Sequence, residues 1–153
     1  MVSYAHPTTT YSDAAPTPAL VLGLAGLIPF LVGALMELTD ARWQGITGTD
    51  LVRTYGAAIL AFMGGAQWGA SLRGAEEPWA RYSYSVIPAL LAWPALLLEP
   101  RDGLVVLVGG FLFVYVLDEW MRYRGWLPAW YLRLRRLLTA VVLASLGVTL
   151  SAT

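Results

Sequence analysis

The 153-residue chain has no cysteine, no lysine and a single histidine. Without cysteine there are no disulfides, no thiolate chemistry, no iron–sulfur cluster and no covalently attached haem. The one histidine, His6, lies in a Pro/Thr-rich N-terminal stretch, so a His-rich zinc site and bis-histidine haem ligation by the chain itself are excluded. Every basic residue is arginine, which reads as a GC-rich coding bias. Ten arginines face ten acids, and a chain with no net charge offers no electrostatic footprint for nucleic acid. Charge itself is scarce: 13% of residues are charged, against roughly 25% in an ordinary soluble domain. Those few charges cannot coat a free globular surface, whereas 58% hydrophobic residues and a mean hydropathy of +0.60 suit a chain whose surface is covered by lipid.

Catalytic constellations are missing as well. There is no metal-ligand spacing, no nucleophile with a histidine base and no phosphate-cradling glycine loop followed by lysine. Glu76 with Glu77, and Asp118 with Glu119, are sequence neighbours that diverge on a helix and do not form a carboxylate dyad. The expectation is a protein that is not an enzyme and holds no metal.

What the chain does have is apolar runs near the ~20 residues that span a bilayer. Five are separated by short polar breaks: 18–38, 51–72, 82–98, 104–120 and 134–152. The predicted fold is all-α, a polytopic bundle of five transmembrane helices over 18–153, preceded by a flexible Pro/Thr-rich tail over 1–17. With the N-terminus in the cytoplasm, Arg73, Arg81, Arg122, Arg124, Arg133, Arg135 and Arg136 share the inner side, while Arg42, Arg53 and Arg101 lie outside. The positive-inside rule then puts the N-terminus in the cytoplasm and the C-terminus in the periplasm of a bacterial inner membrane. Trp126, Trp130 and Tyr131 gather where the fourth loop meets the headgroups, the expected place for amphipathic rings.

Helix packing leaves its own signal. Ala57, Ala61, Gly65 and Gly69 recur every four residues along the second helix, a small-residue stripe that admits a close neighbour from the same chain or from a partner subunit. Pro29, Pro88 and Pro94 fall inside spans and predict kinks in the first and third helices.

Polar residues inside spans are costly and normally face the bundle interior. At 1.5 Å per residue, Gln67 and Asp118 lie about 24 and 21 Å below the outer ends of their helices, both in the cytoplasmic half. Tyr82, Tyr84, Ser85, Arg135 and Thr139 start their helices on that side and reach similar depth. The predicted polar layer therefore contains Gln67, Trp68, Tyr84, Ser85, Asp118, Arg135 and Thr139. Within it Asp118 pairs with Arg135, or with Arg122 one turn away. The layer either docks helices or receives a quinone head, a lipid headgroup or a proton. Arg53, beside Asp50, is expected to face water.

Several runs carry a resemblance. Gly23-Leu24-Ala25-Gly26-Leu27-Ile28-Pro29-Phe30, Tyr55-Gly56-Ala57 and Phe62-Met63-Gly64-Gly65-Ala66-Gln67-Trp68-Gly69 are followed by Ser85-Val86-Ile87-Pro88-Ala89-Leu90 with Trp93. Asp118, Trp130-Tyr131, Leu134-Arg135 and Leu138-Thr139 complete the pattern. It resembles the small integral membrane family called domain of unknown function 3429, of the transmembrane protein 69 type. The resemblance implies fold and membrane location but brings no activity. The family pattern usually has His where this chain has Gln67, so a metal or haem role is not implied there, and a hydrogen-bonding role is. The functional expectation is a non-catalytic accessory subunit or assembly factor of a respiratory or photosynthetic membrane complex. Its partners would be membrane lipids and other membrane subunits met through the second helix. No cofactor is covalent, with lipid, quinone or pigment expected at the surface. The alternative is a small carrier or binding protein for a lipophilic ligand.

Overall fold

A computed structural model describes residues 14–72, 78–125 and 127–153. They form α1 (Thr17–Ala25), α2 (Ile28–Leu38), α3 (Gly48–Ser71), α4 (Pro78–Leu97), α5 (Pro100–Tyr123) and α6 (Ala129–Ala152). Among the described residues the one β contact is an isolated bridge between Trp43 and Ile46, closed by Gln44 and Gly45 at positive φ. Residues 1–13, most of the expected tail, lie outside the described residues, as do Arg73, Glu76, Glu77 and the interfacial Trp126; helix already begins at Thr17.

The first expected span is two short helices in line. Helix α1 ends at Ala25, and Pro29 occupies the first turn of α2, where a missing N–H costs nothing. Pro29 thus marks a break between helices, whereas Pro88 and Pro94 sit inside a continuous α4. Three stretches are long and apolar enough to cross a membrane: Thr17–Leu38, Pro100–Tyr123 and Ala129–Ala152. Helices α3 and α4 are comparable rods of 24 and 20 residues. Glycines, Gln67 and a charged first turn dilute the apolar character of α3, and Arg81, Tyr82, Ser83, Tyr84 and Ser85 do the same for the start of α4.

One end of the bundle is tied by helix termini. Thr47 and Asp50 form a reciprocal capping box, with Thr47 Oγ1 accepting from the Asp50 N–H at 3.1 Å and Asp50 Oδ2 accepting from the Thr47 N–H at 3.1 Å. Glu37 at the end of α2 accepts the Thr49 N–H at 2.7 Å, bringing a carboxylate to the positive end of the α3 dipole. Gly48 permits this approach, since a Cβ there would meet the Gly33 carbonyl and the Glu37 backbone. Arg53 is partly exposed and near Asp50 as expected, but it also reaches another helix. Its Nη2 donates to the Leu96 and Leu98 carbonyls at 2.9 and 3.2 Å, satisfying acceptors at the end of α4 that have no helical partner.

Helix α3 lies at the centre, against α2, α4, α5 and α6. The core on its inner face includes Phe30, Val52, Leu60, Leu107, Phe111 and Leu146, all nearly inaccessible. The Phe30 ring meets Tyr55 and Phe111 edge-on, with centroids 5.2 and 6.0 Å away. At the opposite end from the capping box, α3, α5 and α6 bring the polar side chains together.

Candidate functional site

Asp118, in the last two turns of α5, is the centre of the polar cluster. Its Oδ2 accepts from Arg135 Nε on α6 at 2.8 Å, and its Oδ1 accepts from Gln67 Nε2 on α3 at 3.3 Å. The Asp118 side chain is 2% exposed and the Arg135 side chain 12%. Three helices therefore meet at one carboxylate, and the pairing runs to Arg135, with Arg122 left on the exposed side of α5. Gln67 is buried, and its Oε1 accepts no hydrogen bond from the described residues. A cavity of about 10 Å³, the size of one water, adjoins it between Ser71, Tyr84 and Trp120.

The Arg135 Nη atoms take a different partner from Nε. Both lie 3.4 Å from Met63 Sδ, a weak acceptor. Beyond them opens a groove of about 180 Å³ between α1, α2, α3, α5 and α6, with Thr139 one turn along from Arg135 on its wall. On the outer surface, Glu119 receives both Arg136 Nε and Nη2, at 2.8 and 3.1 Å, and the Tyr115 hydroxyl at 2.9 Å.

The other expected layer residues divide. Ser85 is buried but donates to the Tyr82 carbonyl at 2.7 Å within its own helix. The Tyr84 ring stacks edge-on with Trp120, 6.0 Å away, on the outside of α4 and α5. Trp68 packs edge-on against Tyr82 at 4.8 Å and stays half exposed. Thr139 belongs to the groove. Gln67, Asp118 and Arg135 thus form one site, while Tyr84, Ser85 and Trp68 stand around it. Trp130 and Tyr131 pack edge-on at 6.0 Å at the start of α6.

The small-residue stripe is split. Ala57 is buried and Ala61 partly so, whereas Gly65 and Gly69 are exposed, with nothing among the described residues near the place a Cβ would take. The close approaches inside the chain use Gly56 and Gly64 instead. A Cβ on Gly56 would touch Leu107 at 3.2 Å, and one on Gly64 would meet the Ser85 carbonyl and Pro88.

The family described as "Protein of unknown function (DUF3429)" matches residues 15–151. The chain belongs to it. Among curated relatives of this DUF3429 protein, "Transmembrane protein 69" of Xenopus tropicalis is 39% identical over 140 residues, covering 86% of this chain and 53% of that protein. "Transmembrane protein 69" of Mus musculus is 35% identical over 149 residues, covering 94% of this chain and 59% of that protein. The chain thus spans a little over half the length of these relatives. No solved structure matches. Apolar helices and relatives named as transmembrane proteins make this DUF3429 chain a multi-pass membrane protein in contact with lipid.

Sequence reasoning did not find Met63, Arg53 or the groove. Met63 carries no polar signal, and its contact with Arg135 depends on the rotation of α3. The groove depends on α2 and α6 being neighbours, a pairing that short loops do not encode.

Proposed function

We propose that this DUF3429 protein is a non-catalytic accessory subunit or assembly factor of a larger respiratory or photosynthetic membrane complex, docking through the outward face of α3. Carrying this reading are Gly65, inside α3, and Gly69, in its last turn, with open space beside both among the described residues. Glycine inside a helix costs about 0.5–1 kcal/mol relative to alanine. Gly56 and Gly64 offset that cost with close helix contacts; Gly65 and Gly69 have no such contact among the described residues. Phe62, 71% exposed, and the half-exposed Trp68 flank them, so an incoming helix would find a small-residue floor between two aromatic walls.

The fold reading proposed with it is five spans, N-terminus inside and C-terminus outside, in a bacterial cytoplasmic membrane. Its support is that α3 runs beside the apolar rod α5 from the Arg53 end to Asp118, and that arginine is unevenly divided between the two ends. Purification from native membranes in a gentle detergent tests the docking role. Other membrane subunits are expected to co-purify, and Gly65→Leu with Gly69→Leu should release them from a chain that still folds. A wild-type protein that always migrates alone, or a double variant that keeps every companion, overturns the reading.

A further inference from the structure

The groove beside Arg135 has the make-up of a ligand site. Its rim is exposed at Leu22 and Phe62, 72% and 71% accessible, while its floor is closed by Phe30 and Phe111 at 1% and 2%. The lining is apolar except at one end, where Arg135 and the buried Thr139 stand together. Arg135 brings an unusual state to that end. Its positive charge is already balanced by Asp118 through Nε at 2.8 Å. Among the described residues its two Nη groups meet only the Met63 thioether. Guanidinium N–H groups in hydrocarbon demand oxygen acceptors, and sulfur satisfies them poorly.

We propose that the groove binds a neutral, carbonyl-headed amphiphile from the bilayer. Its head oxygen takes the Arg135 Nη donors with the Thr139 hydroxyl beside them, and its chain leaves past Leu22 and Phe62. Neutrality follows from the charge count: a carboxylate head would add a second anion to a cation that Asp118 has already neutralised, at short range and low dielectric. Size agrees, because about 180 Å³ holds a head and the first part of a chain and leaves the remainder in lipid. Quinones and diacyl lipids share this chemistry, a carbonyl on a long apolar chain. The site meets the α3 docking face at Phe62, but the donors that define it, on Arg135 and Thr139, lie on α6, and it does not rest on that docking role.

The test uses the full chain, purified in mild detergent and delipidated, then equilibrated with ubiquinone-2, dioleoylphosphatidylcholine or decanoate. Bound probe per chain is counted by mass spectrometry after gel filtration. Ubiquinone-2 or the phospholipid, or both, should be retained near one per chain, and decanoate should not. Retention of the quinone alone identifies a quinone site, and of the phospholipid alone a lipid site. Leu138→Trp fills the groove while leaving Asp118 and Arg135 themselves unsubstituted and should lower retention about tenfold. If that variant does not insert, Ile59→Phe on the facing wall replaces it. Asp118→Asn should transfer retention from the neutral probes to decanoate, a reversal that mere loss of packing would not produce. Equal retention by wild type and the filled variant, or wild-type preference for decanoate, overturns the proposal.

Discussion

Asp118 accepts hydrogen bonds from two helices at once, and its energetics follow from where it lies. A buried pair is costly to assemble but costlier to break, since removing one partner strands the other. Asp118→Ala and Arg135→Met should each lower stability in detergent by about 3 kcal/mol, whereas Asp118→Leu combined with Arg135→Met should restore most of it. Thermal unfolding followed by circular dichroism measures both. If the double variant is as unstable as the singles, the pair does more than balance charge. Gln67→Ala should cost only about 1 kcal/mol, in line with single polar contacts between membrane helices. At the other end, Asp50 is held below its ordinary carboxylate range by hydrogen bonds from the Thr47 side chain and backbone. Because the folded state favours the ionised form, this contribution is present above the unfolded pKa, near 3.8, and lost as pH falls through the lower folded value. Thr47→Ala should therefore flatten the acid limb of a stability profile below about pH 4 and remove about 1 kcal/mol of capping at neutral pH. Asp118 and Arg135 were legible because polar groups inside apolar runs are few and expensive. The role of Arg53 was not, because arginines near loops are ordinarily solvated and the α4 carbonyls it serves are 43 residues away or more.

Among the elements, α3 shows why spacing identified a small-residue helix but not its buried face. Gly56, Ala57, Ala58, Ala61, Gly64, Gly65, Ala66, Gly69 and Ala70 put small residues almost all round it, so a four-residue repeat can be drawn along several faces. The face that packs is the one running through Gly56, Leu60, Gly64, Gln67 and Ser71, where the polar groups share the register of the close approaches. Reading polar and small residues together would have separated it from the stripe through Gly65. Two substitutions distinguish the faces. Gly64→Ala must push against the Ser85 carbonyl and Pro88 of α4 and should destabilise by about 1–3 kcal/mol, as overpacking does. Gly65→Ala meets open space and should stabilise the isolated protein by about 0.5–1 kcal/mol through helix propensity. Chemical denaturation in one detergent at fixed concentration compares them; equal effects would mean that the register of α3 against α4 differs from the one described.

For the whole molecule, five rods were readable from apolar run lengths, but their crossing of the bilayer depends on α3 and α4, whose composition is the least apolar. If all five rods cross with the N-terminus inside, the α3–α4 connection lies inside. If only Thr17–Leu38, α5 and α6 cross, the same connection stays outside while every later position keeps its side. Position 75 therefore separates the two arrangements, and positions 44, 127 and 153 do not. Central packing of α3 against α2, α4, α5 and α6 favours crossing, because a rod lying outside the membrane could not share their length. The absence of cysteine makes the measurement direct, since any thiol introduced is the only one in the chain. With a membrane-impermeant maleimide on intact cells, Gln44→Cys and Thr153→Cys should label, while Ala75→Cys and Leu127→Cys should label only after permeabilisation. Labelling of position 75 on intact cells, with 44 and 153 also labelled, would leave α3 and α4 on the outer side and remove the five-span arrangement. Reversal at all four positions would keep the five spans and invert the chain, against the arginine distribution.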